Sequence, residues 1–333
     1  MTPRDRLRCA AALTACALSA LLGMPQALAQ APATDYPPPG SSIRYVVPFP
    51  AGGLTDVMAR LVGQQLAERW KVGVVIDNRP GGGGLIGADA VAKAPADGQT
   101  LLAITLTHAA NASLFKGRSP YELQRDLRPV ALLAGSPMLV VVPAASAIHD
   151  IQALISTART KPLNAGSSGN GTPPHLTLAL FNQLNGTSVQ HVPYKGGAPS
   201  ITDLIGGQLD VIFSNLPESI AQVKAGKLRA LAITSAQRHP LLPEVPTTQE
   251  AGLPRLRVDN WTAVAAPAGM SDAAVNKLGA ELLAIMALPA VAEKAAAQGF
   301  RIDARGPQDA LAFVNAEVER WGQVIQAAGL RAD

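Results

Sequence analysis

The sequence predicts an α/β fold in two lobes, each a mostly parallel sheet flanked by helices. Three observations carry that reading. Short β-branched runs alternate with helical segments along the chain, the signature of βαβ units. At two distant points, residues 45–56 and 163–175, a glycine- or serine-rich loop joins a strand to a helix. Removing the N-terminal segment leaves about 304 of the 333 residues, enough for two domains.

That N-terminal segment, residues 1–29, reads as a secretory signal. Arg4, Arg6 and Arg8 form a basic region, and the apolar run over 9–22 is too short and alanine-rich to span a membrane. Ala27-Leu28-Ala29 is a small-residue cleavage site. A rival lipoprotein box, Leu13-Thr-Ala-Cys16, is disfavoured because the residues after Cys16 stay apolar. Cleavage after Ala29 removes Cys9 and Cys16, the two cysteines, and with them disulfides, thiol catalysis and Cys-ligated metals. A cysteine-free exported chain fits a bacterial periplasm. The 28 Lys+Arg lose three residues and the 24 Asp+Glu lose Asp5, leaving 25 against 23 and a net charge of +2. The basic residues are scattered, so neither nucleic acid nor an anionic membrane is indicated as a partner.

Residues 30–40, with Pro37-Pro38-Pro39, read as a flexible lead-in. Residues 43–47 form a strand. A helix over 55–69 follows, with Val57, Leu61 and Leu66 along one face. Residues 72–76 are the next strand; the glycines over 81–84 open a helix at 86–94, and 101–105 is a third strand. The apolar runs 130–133 and 138–142 are buried strands that carry the chain into the second lobe. There the pattern gives a helix at 151–160, a strand at 163–165 and a helix at 174–184. Strands at 189–192, 209–213 and 228–234 are separated by helices at 200–205 and 217–225. The proline-rich stretch 240–254 is a loop with one helical turn. Residues 258–266 return as a strand to the first lobe, and helices at 272–286, 289–298 and 307–326 complete it. The lobes are therefore residues 41–142 with 258–333, and residues 143–257.

Tyr45-Val-Val-Pro-Phe-Pro-Ala-Gly-Gly-Leu-Thr-Asp56 presents free backbone N–H groups at the positive end of a helix dipole, where an anion can sit. Asp56, in the first turn, holds such a loop in shape while the Gly52 and Gly53 amides face a ligand. Leu163-Asn-Ala-Gly-Ser-Ser-Gly-Asn-Gly-Thr-Pro-Pro-His175 is a second junction of this kind, and two of them suggest two lobes closing on one small acid. Lys195 reads equally as a partner for an acid and as a solvated loop charge. Gly82-x-Gly84-x-x-Gly87 matches a dinucleotide fingerprint, but the next strand ends without the acidic residue that pattern requires, so a turn needing positive φ is the better reading. Gly166-Ser167-Ser168-Gly169 lacks nucleophile-elbow spacing, which leaves a hydrolase using Ser168 and His175 as a remote alternative. His108, His149, His175, His191 and His239 show no metal-ligand spacing, and neither metal nor cofactor is expected.

Ten segments, in order, resemble one known family. They are Pro48-Phe-Pro-Ala-Gly-Gly-x-x-Asp56, Asp77-Asn-Arg-Pro-Gly81, Ala96-Asp-Gly98, His108-x-x-Asn111 and Gly166-Ser-Ser-Gly-x-Gly171. Then come His191-Val-Pro-Tyr-Lys-Gly196, Ala225-Gly-Lys-Leu-Arg-Ala-Leu-Ala232, Leu242-Pro-Glu-Val-Pro-Thr247, Glu250-Ala-Gly252 and Ala266-Pro-Ala-Gly269. The chain resembles the Bug-type (TctC-like) extracytoplasmic receptors of the tripartite tricarboxylate transporters. The resemblance implies a type II, Venus-flytrap periplasmic binding protein, monomeric and without cofactor. Such a receptor binds a small carboxylate and delivers it to a permease of one large and one small integral-membrane subunit; signalling to a membrane sensor kinase is the alternative. Carried over by motif, Phe49, Ala51, Gly52, Gly53, Thr105 and Asn111 contact ligand from the first lobe. Ser167, Ser168, Gly169, Thr172, Lys195 and Ser214 do so from the second. One departure stands out: relatives commonly have Asp in a Phe-Asp-Asn segment where this chain has Phe213-Ser214-Asn215. Loss of that carboxylate would lower negative charge in the cleft and disfavour an amino acid ligand.

Overall fold

The computed structural model describes residues 36–331 apart from Pro39. The expected export signal over 1–29, both cysteines and most of the expected lead-in lie outside the described residues.

β1 (Ser42–Val47) lies between β2 (Gly73–Asn78) and β3 (Thr100–Thr105), parallel to both. Parallel neighbours need crossover connections, here the helices α1 (Leu54–Trp70) and α2 (Leu85–Ala92), the second preceded by a single 3₁₀ turn over Gly82–Gly84. A second parallel set places β5 (Asn164–Ser167) between β6 (Gln190–Pro193) and β7 (Val211–Asn215). These are the parallel ladders that the βαβ alternation predicts. The strands between them pair antiparallel. β4 (Leu127–Pro143) is one continuous strand where two short ones were expected, and it serves both halves of the fold. Its first part, up to Pro137, pairs with β9 (Asp259–Pro267) and β10 (Arg301–Arg305). From Met138 onward it pairs with β7 and β8 (Leu228–Ile233). β9 then pairs with β3, closing the order β2-β1-β3-β9-β4-β7-β5-β6.

Helices cover both faces of each half. In the first, one core is packed around Tyr45, Met58, Leu101 and Leu278, beneath α1, α9 (Asp272–Met286) and α10 (Pro289–Ala297). The other contains Ile104, Leu106, Trp261 and Trp321, beneath α2, α3 (Leu106–Leu114) and α11 (Pro307–Ala327). In the second half, Phe181, Phe213 and Leu154 pack under α5 (Ile151–Thr160) and α6 (Pro173–Asn185). Leu139, Leu204 and Leu216 do so under α7 (Gly197–Ile205) and α8 (Leu216–Lys224). A four-residue helix, α4 (Leu123–Asp126), leads into β4. No single helix among the described residues is long and apolar enough to cross a membrane.

α3, α4 and β10 are elements that the sequence pattern does not announce. α3 follows β3 without a loop, and its start is made by a capping box: Thr105 Oγ1 accepts the Thr107 N–H at 3.2 Å, and His108 Nδ1 accepts the Thr105 N–H at 3.0 Å. The long stretch over 234–258 forms neither helix nor strand.

Candidate functional site

The first loop is shaped by Asp56, buried in the opening turn of α1. Asp56 Oδ2 accepts the Gly52 N–H at 2.9 Å and Arg60 Nε at 2.9 Å, and Oδ1 accepts Asn78 Nδ2 at 2.9 Å. The same Asn78 amide reaches the Phe49 carbonyl at 3.1 Å, tying the end of β2 to the loop. Burial works to raise the Asp56 carboxyl, but hydrogen bonds from Arg60, the Gly52 N–H and Asn78 outweigh it and hold the carboxyl below its ordinary value. The sequence reading had the Gly52 amide facing a ligand. Its N–H is instead donated to Asp56, so Gly52 lines the site with its N–H already taken. Gly52 has φ 81°, a conformation that glycine adopts without strain. The run Gly81, Gly82, Gly83 and Gly84 is in positive φ throughout, as expected of a turn, and Gly83 accepts a hydrogen bond from Asn111 Nδ2 at 2.9 Å.

The second loop folds on its own hydroxyls. Ser167 Oγ accepts the Gly169 N–H at 3.0 Å and lies 2.6 Å from His191 Nε2, while Thr172 Oγ1 donates to the Gly169 carbonyl at 2.6 Å. His175 Nδ1 accepts the Gly171 N–H at 3.1 Å, and its ring stacks on His191 with centroids 3.8 Å apart. This puts His175 in the role of a loop-capping residue. Burial, and then the neighbouring His175, push His191 down to about 3.

Both loops open onto one cavity of about 270 Å³, at the small end of ligand-binding cavities. Five helix N-termini contribute to its wall. Gly53 and Leu54 come from α1, Thr105 and Thr107 from α3, and Thr172 and Pro173 from α6; Gly196 and Gly197 come from α7, and Asn215 and Glu218 from α8. Each such terminus carries partial positive charge and backbone donors, so the cavity favours an anion. Thr107 Oγ1 and Ser168 Oγ are buried polar atoms with no hydrogen-bond partner in the protein. Among the described lining residues, Lys195 is the only cation and Glu218 the only carboxylate.

Of the residues carried over by motif, Phe49, Ala51, Gly52, Gly53, Thr105, Ser168, Thr172 and Lys195 line this cavity. Asn111, Ser167, Gly169 and Ser214 do not. The first three brace the loops behind it. Ser214 is buried in β7, its hydroxyl donating to the Asn215 carbonyl at 3.1 Å. Ser214 thus takes no part in the cavity wall, where Glu218, four residues on, places a carboxylate. Thr107, Asn215, Glu218 and Asn260 were not foreseen as lining residues, because they converge only through the crossing of β7 and β9 and the unannounced α3. No group of three or more His, Cys, Asp or Glu side chains among the described residues is placed to hold a metal.

Two α/β halves joined by crossing strands, with a polar cavity ringed by helix N-termini, define a two-lobed solute-binding receptor of type II. Residues 58–330 match the model of the tripartite tricarboxylate transporter family receptor, and the chain belongs to that family, as a Bug-type, TctC-like receptor. A protein from the tcbD-tcbE intergenic region of Pseudomonas sp. strain P51 is 40% identical over 298 residues, covering 89% of this chain and 88% of its own. An R. palustris protein solved with adipate, Rpa4515, superposes with a TM-score of 0.84 at 37% identity, over 88% of this chain and 99% of its own. The periplasmic binding protein BugD does so with a TM-score of 0.83 at 30% identity, over 89% and 100%. The family is one of solute-binding receptors, not enzymes, and the Ser168–His175 hydrolase reading falls with that finding.

Proposed function

We propose that this chain is exported to the periplasm, closes its two lobes on a small carboxylate, and hands that acid to an integral-membrane permease of the tripartite tricarboxylate type. The observation that carries the reading is the convergence of five helix N-termini, with unpartnered hydroxyls of Thr107 and Ser168, on one small cavity. Adipate bound to the R. palustris relative supports the ligand class. The eight lining residues from the motif comparison hold the acid, while Asn111, Ser167 and Gly169 brace the loops behind it and Ser214 stays buried in β7. The expected first boundary after residue 142 moves back, because Met138–Val142 pair with β7 and β8: lobe 1 comprises residues 41–137 with 258–333, and lobe 2 residues 138–257. The change of partners within β4 between Pro137 and Met138 supports a hinge on that first crossing. Cleavage after Ala29 releases a monomer.

Thermal unfolding of residues 30–333, refolded from denaturant, tests the binding step. The panel is the dicarboxylates from malonate to suberate, citrate, amino acids and aromatic acids. A ligand at about a hundred times its Kd stabilises the native state by about 2.7 kcal/mol, so one class of acid should raise the midpoint clearly. No shift with any acid refutes the carboxylate reading. Deleting the receptor should abolish cellular uptake of the acid that binds; retained uptake refutes the transport role.

A further inference from the structure

The wall of the cavity is not uniformly hungry for negative charge. The Glu218 carboxylate, borne by α8 in the second half of the fold, reaches the first. It accepts hydrogen bonds from the Leu54 N–H at the start of α1 and from the Asn215 side chain. Its Oε1 lies 3.8 Å from where a Cβ on Gly53 would stand, and a Cβ on Gly197 would overlap its Oε2. The carboxylate thus sits between the N-termini of α1 and α7, in a position that a ligand carboxylate would otherwise take. Burial raises its carboxyl above the ordinary value, against the hydrogen bonds from Asn215 and Leu54.

A second feature stands at the same end of the cavity. Asn215 turns its amide toward Glu218, leaving Asn215 Oδ1 to accept Asn260 Nδ2 at 2.8 Å. That bond orients Asn260 so that its Oδ1, buried and lining the cavity, has no partner in the protein. A carbonyl oxygen only accepts, and so does an ionised carboxylate. Two acceptors therefore share one end of the site. Elsewhere on the same wall, Thr107 and Ser168 offer hydroxyl donors.

We propose that Glu218 is a specificity-determining residue: together with Asn260 it selects an acid with a single carboxylate whose far end donates a hydrogen bond, as a hydroxyl or ammonium group, and rejects a dicarboxylate. This rests on the carboxylate-binding reading and reverses the preference inferred from Ser214. A second ligand carboxylate at that end would bring only further acceptors to the Glu218 oxygens and the unfilled Asn260 Oδ1; a donor satisfies both.

The test is calorimetric titration of wild type and Glu218→Gln with two matched sets at neutral pH. The six-carbon set is adipate, caproate, hydroxycaproate and aminocaproate. The four-carbon set is succinate, butyrate, hydroxybutyrate and aminobutyrate. The expected result is that the hydroxy or amino acid binds wild type about tenfold or more tighter than the dicarboxylate and the unsubstituted acid, and that Glu218→Gln erases most of this preference. A dicarboxylate that binds wild type as tightly as its amino and hydroxy counterparts leaves the carboxylate reading standing and overturns this inference. An unchanged ratio in Glu218→Gln does the same. Failure of every acid to bind wild type overturns both.

Discussion

Asp56 fixes Gly52: its Oδ2 accepts the Gly52 N–H at 2.9 Å, so the carboxylate of the first helical turn bends the chain back across the loop that lines the cavity. The same carboxylate also holds Arg60 and Asn78, and Asn78 holds the Phe49 carbonyl. Asp56→Ala removes the acceptor for the Gly52 N–H and one of the two for the Asn78 amide, while the half-exposed Arg60 can turn to water. The expected loss of stability is about 2 kcal/mol at neutral pH, with a loss of ligand affinity as the loop loosens. The sign with pH follows from a carboxyl held below its ordinary value. Its contribution is complete above the unfolded value of 3.8 and is lost as pH falls through the folded one. Denaturant unfolding of both forms at neutral and strongly acid pH checks this. A difference between wild type and variant that persists undiminished in acid contradicts it.

Thr107 argues the reverse case, a polar group that the free protein would be as stable without. Its Oγ1 is buried and unpartnered, although the residue's own N–H caps onto Thr105. Thr107→Val keeps the branched shape and removes only the hydroxyl. The unliganded protein should change stability by less than about 1 kcal/mol, because no hydrogen bond is broken. Affinity for the bound acid should fall about fivefold to tenfold. Titration and denaturant unfolding of the same variant separate the two effects; unchanged affinity would show that the hydroxyl does not meet the ligand.

The physical reasons why parts of this fold were legible differ from element to element. β1, the 48–56 loop and α1 could be read because a β-branched run, a glycine pair and an acid in the first helical turn are all local signals. α3 was hidden because Leu106, Thr107, His108, Ala109, Ala110 and Asn111 are all buried, so no polar face marks a helical period. β4 read as two strands because Gly135-Ser136-Pro137 looks like a turn. Those residues nevertheless pair with Trp261, Asn260 and Asp259, and the ladder absorbs its prolines with register shifts near Pro129. β10, Arg-Ile-Asp-Ala-Arg, is polar and only part-buried, and it carries no hydrophobic alternation clear enough to stand out. In the site, the two loops were legible because their N–H donors come from consecutive residues. Glu218 and Asn260 lie 42 positions apart and meet only after β7 and β9 are in place, so no spacing in the chain could join them.

His108 makes the last case, a histidine whose protonation the fold opposes. It is fully buried, its Nδ1 accepts the Thr105 N–H, its Nε2 has no partner, and its ring stands edge-on to Phe49 with centroids 6.0 Å apart. Burial pushes it down to about 4 from an ordinary 6.5. In the unfolded chain the ring takes a proton near 6.5, while in the folded chain it stays neutral until about 4. Stability is therefore lost as pH falls between those values, on the order of 3 kcal/mol in total from this residue. His108→Gln keeps a side chain that can complete the capping box and removes the titration. Measured against that variant, the wild type should lose most of this amount between pH 7 and pH 4, whatever the offset at neutral pH. A wild-type-minus-variant difference that stays level across this range would mean that the His108 ring is protonated as readily in the folded protein as in the unfolded chain.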